Sequence, residues 1–241
     1  MKSKKIVFQP VEEYADVLLN PPTPATNNIP KWFKDQNIFS NKSTDYLKAT
    51  KMGNNIFTYK MCVPITDTIT SGYTIVTSAD ILITNVSTDN TYMPHIRWDV
   101  SFPIADVQSS EALANYPVPT GFNSTFFRWY HDWNIITPKG YSSFFMHPIH
   151  RHDLPFFTIS GIVDTDMFPN KLHLPFFIKD GFEGIIKEGT PIAQFLPFKR
   201  DNWESERKSF SQKSKIIYDN AMKINLLRTY KNKIWSKKVY K

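Results

Sequence analysis

Asp164 and Asp166 stand two residues apart in the stretch "GIVDTD". Residues at i and i+2 of a strand leave the same face, so both carboxylates would reach one spot. Ile162, Val163 and Thr165 favour that strand. Like charges this close repel, and they call for a metal, a basic partner or a bound polar group. Two chemistries fit the pair: holding a metal, or activating water with Asp164 and Asp166 in catalytic roles. The plainer alternative leaves both at a strand end, facing water.

A second cluster is "HPIHRHD", residues 147–153. His150 and His152 would share a strand face, with His147, Arg151 and Asp153 beside them. These side chains can bind a metal or move protons. A non-haem iron centre needs two histidines and a carboxylate, and His150, His152 and Asp164 form the candidate ligand set for a divalent metal. His150 is also a candidate catalytic group beside the aspartates. A polar turn is the alternative. The expectation is one site holding Asp164, Asp166, His150 and His152, with Lys139 or Arg151 balancing the charge. Lys139 and Tyr141 in "TPKGYSSFF", with Arg151, are candidate contacts for an anionic ligand. Gln194 interrupts the apolar run "PIAQFLPF". Once buried it needs a hydrogen-bond partner, so it is a structural bonder or a further ligand contact. Cys62 is the single cysteine, which excludes an intramolecular disulfide, and its setting "YKMCVPI" reads as a small buried hydrophobe. The chain contains no Walker loop, no dinucleotide glycine fingerprint and no zinc cysteine cluster.

The elements that position these residues are read from pattern and punctuation. Within 241 residues there are 19 Phe, 11 Tyr and 6 Trp, with 17 Pro against only 8 Gly. Period-two runs recur from residue 56: "IFTYKMCVPI", "YTIVTSADILITNV", "HIRWDVSF", "TFFRWYH", "YSSFFMH", "FFTISGIVDTD", "LHLPFFI" and "GIIKEGTPIAQFLPF". Pro138-Lys139-Gly140, Asp180-Gly181 and Lys187-Glu188-Gly189 are turn signals between them. "TDTITSGY" reads as a turn, and 104–123 as a short helix or loop. The pattern predicts a mainly β fold, an antiparallel sandwich or barrel, with an extended N-terminal arm and a C-terminal helix. The expected division is a Pro-rich arm over 1–49, a β domain over 50–199 and a basic helix and tail over 200–241. Prolines 21, 22, 24 and 30 keep the arm extended, and Trp32 and Phe33 anchor it by burial.

The net charge is +7, and residues 200–241 hold twelve Lys/Arg against four Asp/Glu. The tail is basic and the rest nearly neutral. A helix over 205–235 is expected to bury Ile217, Ala221 and Ile224 and to turn its cations to solvent or a polyanion. Weak, non-specific, salt-dependent contact with nucleic acid would then run through this tail. No apolar stretch reaches membrane-spanning length, and the N-terminus lacks the pattern of a signal peptide. The sequons at Asn41, Asn85 and Asn123 therefore read as chance matches, and the compartment as cytosolic.

The pieces "IPKWFKDQ", "KMCVPITDTITSGYTIVTSADILI", "WNIITPKGYSSFFMHP", "SGIVDTDMF" and "KEGTPIAQFLPFKRDNWE" resemble, in this order, an uncharacterised family of phage and bacterial proteins. The resemblance implies phage origin and no particular activity. A remoter one is to the dUTPase and dCTP deaminase group, whose fold is the β-clip. Gly161, Asp164 and Asp166 are similar to its Gly-hydrophobic-hydrophobic-Asp-x-Asp motif. Gly189, Ile192, Ala193 and Gln194 are similar to its Gly-x-x-Ile-Ala-Gln motif, and "SGYTI" with Gly72 to its early strand. In that group the aspartate strand forms a sugar-binding hairpin and positions the attacking water. The sequence departs where Thr74 replaces an aspartate, where "HPIHRHD" replaces the Arg-Ser-Gly phosphate motif, and where no glycine follows Gly189. The resemblance thus implies the fold rather than dUTP hydrolysis. The leading expectation is a small-ligand β domain that binds or processes a nucleotide or other anionic metabolite. A non-enzymatic virion or assembly protein and a metal-dependent oxygenase or hydrolase are the alternatives. The setting is the cytoplasm of an infected bacterium or the virion, and a homo-oligomer is compatible with it.

Overall fold

Period-two patterning sets the architecture. The computed structural model describes residues 4–40, 56–89, 91–168, 170–223 and 230–241. The chain forms two compact units, residues 1–28 with 72–200 and residues 29–71 with 201–241. The expected arm over 1–49 is therefore divided, and its first part is woven into the β unit.

All strand pairs of the first unit are antiparallel. One sheet has the order β13 (Gly161–Val163), β11 (Tyr141–Met146), β16 (Pro191–Lys199), β5 (Tyr73–Val76) and β2 (Thr23–Pro24). A second runs β12 (Phe156–Thr158), β14 (Leu172–Lys179), β9 (Phe122–His131), β8 (Ala105–Gln108). A third runs β15 (Gly184–Ile186), β6 (Ile81–Asn85), β7 (Pro94–Trp98), and β1 (Val7–Pro10) pairs with β10 (Trp133–Ile136). None of these sheets closes into a barrel among the described residues. Pro24 lies on an edge strand, where its missing N–H leaves no ladder bond unmade. Between β1 and β2 runs the short helix α1 (Glu13–Leu18).

The aromatic excess fills the core. Trp129 of β9 stacks on Phe176 of β14 with ring centroids 3.6 Å apart, and Phe156 meets Trp129 edge-on at 5.2 Å. Phe145 of β11 stacks on Phe195 of β16 at 5.0 Å, and Tyr73 covers Phe195 from β5. Each such side chain taken fully out of water stabilises the fold by roughly 1.5–3 kcal/mol. Gly72 enters β5 at φ +74, and a Cβ there would lie 2.0 Å from the Phe195 carbonyl oxygen, so only glycine fits.

In the second unit, α2 (Lys31–Asp35) buries Phe33 and leaves Trp32 largely exposed, so only one of the two expected anchors is buried. A two-residue pair, β3 (Phe39–Ser40) and β4 (Ile56–Phe57), is followed by α3 (Val63–Thr70). The expected strand through Cys62 is cut to Ile56–Phe57 and followed by a 3-10 turn over Tyr59–Met61, and the expected turn after Pro64 is instead this helix, which Cys62 precedes. Pro64 lies in its first turn, where fixed φ favours a helix and the missing N–H has no partner to lose. Cys62 is partly exposed rather than buried. Asp67 of α3 accepts from Trp235 Nε1 at 2.9 Å and Lys238 Nζ at 2.6 Å, which ties the chain end to this helix.

The C-terminal helix is α4 (Gln212–Lys223), shorter than expected. Ser211 begins it, since its hydroxyl accepts from the Ser214 N–H at 3.3 Å in the manner of an N-cap. Residues 201–211 have no regular structure. Ile217 is exposed, so the expected burial of the helix's apolar stripe fails there. Ala221, in its side chain, and Ile224 lie outside the described residues.

Candidate functional site

Antiparallel pairing of β13 and β16 with the two edges of β11 places "GIVDTD" beside the start of β11. Register sets Val163 opposite Ser143 and Lys199 opposite Tyr141, so the residues just beyond both strands meet there. Asp166 accepts a two-pronged bond from Arg200, Nη1 to Oδ1 at 2.8 Å and Nη2 to Oδ2 at 2.6 Å. The Gly140 N–H adds a bond to Oδ2 at 2.7 Å. Asp164 accepts from Ser142 Oγ at 2.6 Å and lies 3.2 Å from Arg200 Nη1. Between them Thr165 turns inward and shares hydroxyl bonds with Thr137 and Ser143. The expected strand ends at Val163, so the aspartates lie in the turn that follows it and not on a strand face, and this turn sets both against one cation with Thr165 in the core.

The guanidinium hydrogen bond holds the Asp166 carboxyl down at about 2, and the Gly140 amide helps. Its side chain is 2% exposed. A carboxylate so stabilised is a poor base at neutral pH. The cation is Arg200, which sequence reading missed. Lys139 is exposed, and Arg151 forks onto Asp153 with its closest contacts at 2.9 Å. Tyr141 lies under Lys4, whose Nζ is 4.3 Å from the ring centroid.

The histidine cluster lies past the other end of β11. Four residue steps separate Ser142 from Met146, or about 13 Å of strand, and the cluster follows Met146. His150 and His152 are neighbours, with ring centroids 6.3 Å apart. His150 takes φ +59 in a turn closed by the Arg151 N–H on the Pro148 carbonyl at 3.1 Å. His147 receives the Thr158 N–H on Nδ1 at 3.3 Å and pairs its Nε2 with the Arg151 carbonyl at 3.1 Å. These two bonds select the neutral ring with its proton on Nε2. Burial pushes His147 below the ordinary histidine value. Gln194 is buried, and its Oε1 accepts from the Ile149 N–H at 3.2 Å, so it holds the turn in place.

The single-site expectation is therefore corrected. His150, His152 and Asp164 are not brought together, and no three His, Cys, Asp or Glu side chains gather as metal ligands among the described residues. The aspartate pair does not fit a divalent metal, because Arg200 already occupies the cation position between the two carboxylates.

A denser polar network lies elsewhere in the first unit. Asp132, between β9 and β10, has a side chain 2% exposed. It accepts from the Tyr14 hydroxyl and lies 3.3 Å from Lys171 Nζ, which also pairs with Glu12 at 2.8 Å. Burial first, and then the Asp132 bond, push the Tyr14 phenol up to about 12. His131 is driven down to about 3 by burial, and its Nε2 has no hydrogen-bond partner. A cavity of about 20 Å3 beside it is lined by Asn20, Thr77, Ser78, Tyr130 and Asp132, room for one water and not for a metabolite. The sequence signal was "WYHDW", a charged residue inside an aromatic strand. A separate open cleft of about 490 Å3 is lined by Asn20, Pro21, Thr23, Asn27, Asn28, Val76, Glu188 and Gly189.

In the second unit every residue from Asp201 to Asn220 is exposed. Trp203 is 89% and Phe210 79% exposed, and Ile216, Ile217 and Tyr218 also face solvent. No helix among the described residues is long and apolar enough to cross a membrane.

No family model matches the chain, and no curated protein matches it, so the resemblance to the uncharacterised phage family rests on the motifs quoted above. Among solved structures the chain is similar to a dUTPase from phage phi11 of S. aureus, described with a structural Mg(II) ion. The identity is 10%, with a TM-score of 0.37, over 86% of this chain and 99% of that one. It is also similar to the dUTPase of Staphylococcus bacteriophage 80alpha, at 8% identity and a TM-score of 0.36, over 87% and 91% of the two chains. A likeness this loose assigns neither a site nor a reaction.

Proposed function

We propose that the protein acts by association, as an assembly component of a phage or an infected host, and that segment 201–223 is its contact surface. One observation carries this reading: an unbroken exposed run that sets Trp203, Phe210, Ile216, Ile217 and Tyr218 in water. Exposed large apolar groups cost free energy unless a partner covers them, and aromatic residues are the usual anchors of such contacts. The charge selects the partner class. Residues 201–223 hold five Lys/Arg against four Asp/Glu, so the tail's basic excess lies beyond this segment. A nearly neutral, aromatic-bearing segment suits a protein surface better than a phosphate backbone. The test is a photo-crosslinking amino acid in place of Phe210 in the full chain. Covalent protein adducts are expected, and their absence overturns the reading.

The open cleft favours a second reading, a small-ligand site. Its volume lies in the range of ligand pockets. Its lining has three asparagines, a threonine and Glu188 but no Lys or Arg, so it suits an uncharged, hydroxyl-rich ligand and not the anionic metabolite expected from sequence. Nucleosides or sugars are expected to raise the melting temperature where nucleoside triphosphates do not. The reverse order would restore the anionic reading.

A further inference from the structure

The charges of the exposed segment are sorted along the chain. Asp201, Glu204 and Glu206 come first, with no cation among the first six residues. Arg207, Lys208, Lys213 and Lys215 follow, with no carboxylate until Asp219. Trp203 lies inside the acidic block, while Phe210, Ile216 and Ile217 lie within or beside the basic one. Both blocks are exposed throughout, and Glu206 pairs locally, with its near neighbour Lys208 at 3.3 Å, so Glu204, Lys213 and Lys215 stand at the surface where a partner can reach them.

We propose that the partner covering this segment is a second copy of the same chain, set antiparallel to the first. The proposal rests on the association reading above and names its partner. A twofold arrangement is self-complementary: whatever residue i of one copy meets on its partner, the partner meets in return. Two copies running in opposite directions place each acidic block against the other's basic block. Trp203 of each copy then faces the apolar residues around Phe210 and Ile217 of the other. A parallel arrangement would stack like charges and is disfavoured. The acidic block also repels nucleic acid and anionic lipid, so neither matches the segment along its length.

The test uses sedimentation of the full-length chain over a wide concentration range, with three charge variants. Wild type is expected to form a concentration-dependent dimer. Glu204→Lys with Glu206→Lys, and separately Lys213→Glu with Lys215→Glu, are each expected to weaken the dimer roughly tenfold or more. The chain carrying all four changes is expected to recover it, because the complementary pairs are restored with signs reversed. All these changes are on exposed residues, so folding is not at risk, and circular dichroism of each variant confirms it. A monomer at every concentration overturns the proposal, as does failure of the fourfold variant to recover. The crosslinker at Phe210 separates the two readings. Adducts with a different polypeptide overturn the second-copy proposal and leave association standing, whereas no protein adduct, or capture by anionic vesicles instead, overturns both.

Discussion

The two ends of β11 hold the two polar clusters that sequence reading joined into one site, and they differ in kind. At the Tyr141 end, Asp164 and Asp166 share one long-range cation, Arg200, with Ser142 and Gly140 completing their bonds. At the Met146 end the charged pair is local, Arg151 on Asp153, and His147 meets the Arg151 carbonyl, while Thr158 and Gln194 add neutral hydrogen bonds from farther along the chain. The carboxylates of the aspartate end are matched by Arg200 and lie at the far end of β11 from the histidines. The like-charge repulsion that suggested a metal is relieved by an arginine delivered by strand pairing. A charge pattern in sequence states that a counter-charge is required; only topology states which one arrives.

The largest expected effect breaks both ends at once. Phe145 lies between them, 1% exposed and stacked on Phe195. Phe145→Ala should cost about 3–5 kcal/mol in urea denaturation, through lost burial and the cavity left behind. A loss below about 1 kcal/mol would mean that β11 is not the strut joining the ends.

Acid should separate the two ends. His147 titrates below its unfolded value near 6.5, and His131 does so at about 3. As pH falls through 6.5 the unfolded chain takes up protons that the folded chain refuses. Stability from these histidines is complete above that pH and is lost below it, at up to about 1.4 kcal/mol per pH unit for each. The Asp166 contribution behaves differently. Its folded value is about 2, so it is present above the ordinary carboxylate value of 3.8 and is lost only as pH falls from there toward 2. Amide exchange at pH 5 should therefore loosen the His147 end before the Asp166 end. Simultaneous loosening would contradict the separate environments, and His147→Gln should remove its share of the slope.

At the aspartate end, Arg200→Ala and Asp166→Asn should each lower the melting temperature, by less than Phe145→Ala. The double variant should lose little more than the worse single one, because each single change already removes the same bonds. Strict additivity would show that Arg200 does not act through Asp166.

Much of this was legible. The strands through Trp129, Phe145 and Phe195 follow alternation and aromatic content, and Gly72 and Gly189 mark turns at positive φ. That Asp164 and Asp166 approach one spot was legible from their spacing, but a turn after Val163 brings them there and not the strand expected. Arg200 was not legible, because it lies 34 residues from Asp166 and reaches it only through the register of β16 on β11. The helix over Val63–Thr70 was missed because Pro64 reads equally as the end of a strand or the first turn of a helix. The Tyr14–Asp132–Lys171 network joins residues far apart in sequence, so "WYHDW" marks a charge among aromatics without naming its partners.

The smallest expected effect concerns His150, and it decides whether the Met146 end is strained for a purpose. A non-glycine residue at φ +59 is uncommon, although histidine tolerates this region better than most. The surrounding turn is held by the Arg151 amide on the Pro148 carbonyl and by the Ile149 amide on Gln194 Oε1, and the His150 side chain is a partner in neither bond. Glycine adopts the same φ without a Cβ clash, so His150→Gly should leave the turn intact. Relief of strain and the greater freedom of glycine in the unfolded chain oppose each other, and the net change should lie within about 1 kcal/mol. His150→Val is the informative companion, since a β-branched side chain resists this region and should destabilise by more than the glycine change. If glycine destabilised by several kcal/mol and valine no more, the imidazole itself would be holding the turn. The Met146 end would then be a built side-chain cluster, and its difference from the Asp166 end would shrink to the identity of the charges.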